Sequence, residues 1–314
     1  MGLSKGGIKL LLNESSRRPF AGRVLTLGRQ DIWFSHGLLQ EMANEFGVEL
    51  SSPGDITFSH KPEFAEKGYM SDECLFRSLG FADSKSLDYS EYEAASYRFD
   101  LNSDDVPQHL VDAFDVIVDA GTIEHVFHIP NVLSNVHRML RRGGRIIHLA
   151  PSSNHMDHGM YMFSPTLFWD FYEVNQFEIS NFKIFRYTPR HNIDPWVISD
   201  YQPGCLDRIS FGGLDNGMYG IMCVATKTRD STGNVVPQQG GYVYNVWKSD
   251  VRKTFGTETS RTSARSKSQM IKEFIKRFPL VYQVLRLPIR LVRLVFRRRT
   301  PTQKGTGLKV VGRY

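Results

Sequence analysis

The chain has 314 residues, three cysteines and a formal net charge of +6, a length that accommodates one α/β domain of about 200–250 residues with extensions. Cys74, Cys205 and Cys223 form no C-x-x-C pair, which excludes a zinc ribbon and a disulfide framework. The apolar run in the opening MGLSKGGIKLLLNESSRRPF is too short for a signal peptide or a membrane span, so a cytoplasmic protein is expected.

RVLTLG (Arg23 to Gly28) is short, apolar and β-branched and runs into a turn, which predicts a first strand. Phe34, Leu38, Leu39, Met42 and Phe46 then recur at helical spacing and stop at Gly47. Residues 49–85 exceed what a strand–helix–strand connection needs and read as an insertion, either a lid or a surface helix formed by DECLFRSLGF. SLDYS and SYRFDLN predict two short strands ending in acid-bearing turns, and FDVIVDAGT a strongly apolar fourth. Pro130 opens a helix to Leu140, Arg141 and Arg142 suit its C-terminal dipole, and Gly143-Gly144 stop it before the strand RIIHLAP.

Another helix opens near Ser164-Pro165, and EISNFKIFRYTP and YGIMCVATKTR close the domain as an expected antiparallel pair. The alternation predicts a Rossmann-like α/β fold over residues 1–229, a seven-stranded, mostly parallel sheet with helices on both faces. Residues 230–268 read as a flexible linker and 269–314 as a basic amphipathic helical tail. From Arg261 to Tyr314 fifteen Lys and Arg face one acid, Glu273, a local net of +14 that leaves the preceding body at −8. No uncharged run in the tail reaches about 18 residues. It suits an anionic membrane surface, packing on the protein itself or a homodimer contact; nucleic acid is disfavoured by the acidic body.

In open α/β sheets a ligand lies outside the carboxyl ends of the strands, at the point where strand order reverses. Here polar residues follow each strand in turn: Gly28-Arg29-Gln30-Asp31, Asp88-Tyr89-Ser90, Asp100-Leu101-Asn102 and Asp119-Ala120-Gly121-Thr122. A carboxylate at a strand tip suits a vicinal diol, and equally caps the next helix. LGRQDIWFS lacks the G-x-G-x-x-G turn that a dinucleotide pyrophosphate requires, which argues against a dehydrogenase.

The motifs SLDYS, YEAA, DLN, DAGTIEHVFHIP, GGRIIHLAP and HGMYMFSP follow one another between Gly22 and Thr228. In order and spacing this series resembles the class I S-adenosylmethionine-dependent methyltransferases. The resemblance implies S-adenosylmethionine as cofactor, with Gly28, Arg29 and Gln30 near its methionine part and Asp88 and Tyr89 near the ribose. It further implies Asp100, Leu101 and Asn102 around the adenine, and Asp119, Ala120, Gly121 and Thr122 flooring the pocket near the sulfonium. The LGRQ turn departs from the family's E-x-G-x-G: either the loop takes another path, with Arg29 or Gln30 on the methionine carboxylate, or affinity is reduced. A non-catalytic binding protein of this fold is therefore the rival reading, and a nucleic-acid methyltransferase a further one.

Methyl transfer needs an in-line acceptor and, for hydroxyl or amine acceptors, a base. Glu124-His125 after the fourth strand and His155 and His158 after the fifth flank one crevice and are the candidate catalytic groups. Among the aromatic residues from Tyr161 to Tyr172, Tyr161 is the substrate-pocket candidate and the rest read as core. Some methyltransferases that look similar at Glu124-His125 carry a further Glu three residues earlier; this chain has Gly121 there, so no metal is expected. The expected acceptor is a small or sugar-like molecule, in a cell-surface glycan pathway at the inner face of the membrane.

Overall fold

The computed structural model describes residues 2–243 and 308–314. Most of the expected linker and tail, residues 244–307, lies outside the described residues. The chain divides into two units, Met1–Leu206 with Asn216–Gly241 and Leu308–Tyr314 in one, and Asp207–Asp215 with Tyr242–Gly307 in the other. In the second, Asp207–Asp215 contains a turn in which the Gly213 N–H donates to Ile209 O at 2.9 Å. The elements below belong to the first unit.

Strand β1 (Gly2–Leu3) leads into helix α1 (Lys5–Arg17), whose N-cap Ser4 accepts from the Gly7 N–H and whose Ile8, Leu11 and Leu12 are fully buried. The apolar start of the chain is thus part of the domain core. Strand β2 (Arg23–Leu27) occupies the expected first-strand position, and β3 (Asp31–Ile32) pairs parallel with β1. Helix α2 (His36–Glu45) begins at N-cap Ser35. The insertion holds α3 (Pro62–Ala65) and α4 (Asp72–Ser78), then runs into β4 (Asp83–Asp88). Helix α4 is the DECLFRSLGF segment, yet it is no surface helix: Cys74, Leu75 and Phe76 are buried in the core.

The third strand shrinks to β5 (Tyr97–Arg98), followed by β6 (Phe114–Ala120) and α5 (Ile129–Met139). Ile129, Val132, Leu133, Val136 and Met139 give α5 one buried face at helical spacing. Strand β7 (Leu140–Pro151) begins at the residue after α5, so Arg141, Arg142 and the two glycines belong to the strand. This corrects their reading as a helix end. Gly143 has φ +80°, the pairing with β6 slips between Phe114 and Val116, and a Cβ on Gly144 would sit 2.9 Å from Arg141 O. The glycines therefore form a bulge that only they fit.

Helix α6 (Pro165–Val174), β8 (Glu178–Tyr187), β9 (Val197–Asp200), β10 (Met218–Thr226) and β11 (Val310–Arg313) complete the unit. The sheet order is β11-β9-β8-β10-β7-β6-β2-β4-β5. Strands β5, β4, β2, β6 and β7 are mutually parallel, and β10 runs antiparallel between β7 and β8. The seven expected strands are present, but among the described residues the sheet has nine, because β9 and β11 extend the β8 edge.

Alternation along the strands covers both faces. Val24, Val118 and Ile147 pack with α1, α2 and α4, whereas His148, one residue on, meets Phe168 and Tyr172 of α6. A buried ion pair fastens α1 to the sheet: Arg145 Nη1 lies 2.8 Å from Glu14 Oε1, and Asn181 Nδ2 donates to Glu14 Oε2 at 3.0 Å. Burial holds the Arg145 guanidinium down to about 10 despite the Glu14 charge.

The chain does not leave the body at residue 230 as a free linker. Asn175, fully buried, donates to Val235 O at 2.9 Å and accepts from Val235 N–H and Thr232 Oγ1, and His137 Nε2 donates to Ser231 O at 3.0 Å. Residues 310–313, expected in the helical tail, instead form β11. Among the described residues no helix is long and apolar enough to cross a membrane.

Candidate functional site

The ladder sets Leu27 of β2 beside Leu87 of β4 and Asp119 of β6, and Asp119 beside His148 of β7, so the turns after these strands open at one level. Chain order reverses between β2 and β6, since β2, β4 and β5 proceed to one side and β6 and β7 to the other. That is the position at which parallel sheets leave a crevice for ligands.

Gly28 turns the chain out of β2 with φ +71°, and its N–H donates to Leu87 O at 2.8 Å. The next two residues are spent within the protein. Arg29 donates to Glu93 O at 2.9 Å and Ala94 O at 3.2 Å and faces the Asp72 carboxylate at 3.5 Å. Gln30 is buried and donates to Leu27 O and Gly28 O. The expectation that either reaches a cofactor carboxylate is corrected: Arg29 ties the turn to Asp72 of α4 and to the segment before β5, and Gln30 Nε2 closes the turn on its own carbonyls. Asp31 is held in the same way, with Lys61 Nζ 2.6 Å from its carboxylate and 3.2 Å from Glu93. Burial raises the Asp72 carboxyl above its ordinary range, against the pull of Arg29.

Asp88 ends β4 partly exposed, with Oδ1 accepting only the Ser90 N–H at 3.0 Å, and Tyr89 beside it is exposed. Asp100 Oδ1 accepts from the N–H and the side-chain amide of Asn102, both at 2.9 Å. Asn102 in turn accepts from the His128 N–H at 3.0 Å, and Leu101 is buried with its carbonyl facing Asn135 Nδ2. The Asp100–Asn102 turn is thereby moored to the start of α5.

Asp119 is wholly buried and fully used. Oδ1 accepts the Thr122 and Ile123 amides at 3.2 and 3.4 Å, Oδ2 pairs with His148 Nδ1 at 2.7 Å, and His148 Nε2 meets Tyr172 OH at 2.7 Å. Thr122 Oγ1 donates to Leu27 O, tying β6's turn to β2. Asp119 and Thr122 are thus structural, and what this turn offers a ligand is the backbone of Ala120 and Gly121, which line a cavity.

That cavity, about 340 Å³, opens beyond the carboxyl ends of β6 and β7 and is lined also by Glu124, His155, His158 and Tyr187. Glu124 is 1% exposed; burial, then the Asp119 charge, pushes its carboxyl up to about 8. Its Oε1 lies 3.6 Å from His158 Nε2 and 4.0 Å from His125 Nε2, both imidazoles being half-exposed. His125 does not line the cavity, but its ring centroid is 5.4 Å from that of His158. His155 Nε2 is 3.1 Å from Tyr187 OH. Burial and the neighbouring His158 hold His155 below the ordinary histidine value, and burial raises Tyr187. His125 is lowered in the same way. The fold therefore gathers all four predicted catalytic side chains at one mouth, and leaves His155 neutral and able to take a proton at physiological pH.

Tyr161 is not among the cavity residues: its hydroxyl donates to Phe127 O at 2.8 Å and its ring stacks on Phe163. The aromatic wall comes from residues the sequence reading passed over. Trp196 stacks on Tyr187 and Phe185 at 4.7 and 4.8 Å between centroids, and Trp33 and His191 face each other at 5.5 Å. Gly2 to Ser4 and Gly7 close another side. A Cβ on Gly6 would lie 2.2 Å from the Trp196 ring, so the glycine pair in SKGGIKLLL was the available signal of close packing there. Nothing local marked Trp33 or Trp196.

No protein-family model and no curated protein sequence matches this chain. Similar solved structures include a phosphoethanolamine N-methyltransferase of Haemonchus contortus with phosphomonomethylethanolamine and S-adenosylhomocysteine. It is 14% identical, with a TM-score of 0.38 over 72% of this chain and 54% of its own, so the chain spans about half its length. A possible histamine N-methyltransferase of Thermotoga maritima is 14% identical, TM-score 0.32, over 70% and 89% of the two chains. A didemethyltoxoflavin N1-methyltransferase of Burkholderia thailandensis, solved with its substrate and S-adenosylhomocysteine, is 14% identical, TM-score 0.31, over 70% and 76%. At these identities and scores the likeness assigns this chain no activity.

Proposed function

We propose that this chain is an S-adenosylmethionine-dependent methyltransferase acting on a small ring-shaped acceptor, aromatic or sugar-like. The observation that carries this reading is the cavity's place: it meets the β6 turn at Ala120 and Gly121, on the edge where Asp88 ends β4 and Asp100 follows β5, with the order reversing between β2 and β6. Asp88, with one oxygen bonded only to Ser90, suits the cofactor's ribose diol; the Asp100–Asn102 turn borders its base; Gly28 and Gly121 let the backbone approach its methionine end.

An acceptor resting against Trp196, Tyr187 and Trp33 faces Glu124 and His158, which hold its reacting hydroxyl or amine, and His155, which takes the proton. The site demands little beyond alignment, since methyl transfer is governed by in-line approach. Both the glycan pathway and the basic tail's attraction to an anionic membrane surface belong to the same proposal and rest on the charge of residues 261–314.

One observation favours the non-catalytic alternative. Arg29 is engaged by Glu93 O, Ala94 O and Asp72, and Gln30 Nε2 by Leu27 O and Gly28 O, so the donors that the turn after β2 could offer a methionine carboxylate are already spent within the protein. Calorimetric titration with S-adenosylhomocysteine separates the two readings. Saturable binding that weakens at least tenfold in Asp88→Ala supports the enzyme; absence of heat and of a thermal shift with a folded sample supports the scaffold.

A further inference from the structure

We infer that Glu124, His125 and His158 form a site for a first-row divalent cation at the mouth of the acceptor cavity. Each offers one ligand atom, and these atoms lie within 4.8 Å of one another. Glu124 Oε1 is 3.6 Å from His158 Nε2 and 4.0 Å from His125 Nε2. Ligands sharing one ion at bond lengths of about 2.0–2.2 Å stand roughly 3.0–3.6 Å apart, so modest turns of two half-exposed imidazoles close the set.

A second observation points to a ligand independently of that spacing. The Glu124 side chain is 1% exposed, and its Oε2 has no hydrogen-bond partner among the described residues. A buried carboxylate oxygen without a donor is costly, and a cation supplies the missing contact.

The loop that brings His158 across is built for this approach. Met160 and Tyr161 N–H both donate to Glu124 O, at 2.8 and 3.2 Å. A Cβ on Gly159 would lie 2.9 Å from that carbonyl and 3.0 Å from Glu124 Cγ, so the backbone passes where only glycine fits. Asn154 and Asp157 take φ of +64° and +65° in the same loop, strained values that persist only where surrounding structure imposes them. Sequence spacing dismissed a metal because Gly121 replaces an acidic residue; the fold supplies His158 from the next loop instead.

One oxygen and two imidazole nitrogens favour manganese, iron, cobalt, nickel or zinc over magnesium or calcium. The exposed side of both histidines leaves coordination positions open to water and to an acceptor oxygen. Its use in methyl transfer rests on the function proposed above: bound there, a cation orients an acceptor hydroxyl and eases loss of its proton, while His155 receives it.

The test uses the full chain stripped with a chelator, without cofactor or acceptor. Mn²⁺ binding is followed by electron paramagnetic resonance, and Zn²⁺ and Mg²⁺ binding by calorimetry. The expected result is one equivalent of Mn²⁺ or Zn²⁺, at least tenfold weaker in His125→Ala and in His158→Ala, unchanged in His191→Ala, and weaker for Mg²⁺. Circular dichroism confirms that these exposed-site variants fold, which avoids relying on Glu124→Gln. Absence of binding by the folded protein overturns the cation site, as does binding that survives the His125→Ala/His158→Ala double variant. S-adenosylhomocysteine titration of the same sample keeps the two readings apart: cofactor without cation overturns only this inference, and cation without cofactor supports it while overturning the methyltransferase.

Discussion

Tyr314 and Trp196 exchange backbone hydrogen bonds in both directions, Trp196 N–H to Tyr314 O at 2.6 Å and Tyr314 N–H to Trp196 O at 2.9 Å. The last residue of the chain thus fixes an indole that stacks on Phe185 and Tyr187 in the cavity wall, while its own ring meets Phe46 edge-on at 5.1 Å. Removing residues 308–314 should loosen Trp196 and cost about 2 kcal/mol or more, a fall of about 4–8 °C in melting temperature for a domain of this size. Scanning fluorimetry and a red shift in tryptophan emission are the readouts; an unchanged melting curve would show that β11 does not support the wall.

Asp88 and Asp119 lie at the carboxyl ends of β4 and β6, the two parallel strands that flank β2, but should respond in opposite ways to truncation. Asp88→Ala removes a partly exposed carboxylate with one local bond, so S-adenosylhomocysteine binding weakens at least tenfold, about 1.4 kcal/mol, while stability holds. Asp119→Ala strands His148 and two buried amides and should cost roughly 3–5 kcal/mol of stability. Paired calorimetry and thermal melts distinguish the two.

Arg29 is structural in this fold, and its replacement tests that directly. Arg29→Ala leaves the Asp72 carboxylate, 6% exposed, without its cation and should destabilise by roughly 3–5 kcal/mol. The double variant Arg29→Ala/Asp72→Ala should recover much of this in a urea titration. Loss of S-adenosylhomocysteine binding with stability intact would instead return Arg29 to the cofactor.

Gly6→Ala introduces a methyl 2.2 Å from an indole that is pinned by β11 and stacked on two rings. The expected cost is roughly 1–3 kcal/mol, with the acceptor wall displaced. Denaturant unfolding gives the stability, and quenching of tryptophan emission by acrylamide reports whether Trp196 has moved outward.

Stability should fall as the pH drops through the histidine range. Burial, then the Lys227 charge, lowers His137 below its ordinary 6.5. The unfolded chain then binds the proton more readily than the folded one, so His137's contribution is complete above 6.5 and is lost progressively below it. His137→Gln keeps a donor for Ser231 O and should flatten the decline in stability between pH 7 and 5 measured by urea unfolding. An equal slope in both proteins would assign the acid sensitivity elsewhere.

Much of the sheet was legible because strand and helix signals are local. RVLTL, FDVIVDA and the Ile129–Met139 face carry their apolar period within a few residues, and each became the expected element. The errors were also local in origin. Gly143-Gly144 signals a stop in isolation, yet the pairing of β7 with β6 and the Lys227 carbonyl turn it into a bulge. β11 was invisible because its partner β9 lies far back in the chain.

The sequence alone determined the α/β alternation, the polar residues at the strand tips and the four candidate catalytic side chains, since all of these are set by residue type and short-range spacing. Which side chains remain free was decided only by tertiary packing. Asp119, Arg29 and Gln30 look equivalent to Asp88 along the chain, but each is engaged by other groups of the protein, Asp119 by His148 and two amides, Arg29 by Glu93 O and Asp72, Gln30 by Leu27 O, while Asp88 stays partly exposed. Packing likewise brought Trp33 and Trp196 to one wall and set His158 against a buried Glu124, because contacts between loops follow from how the sheet is covered and leave no period in the sequence.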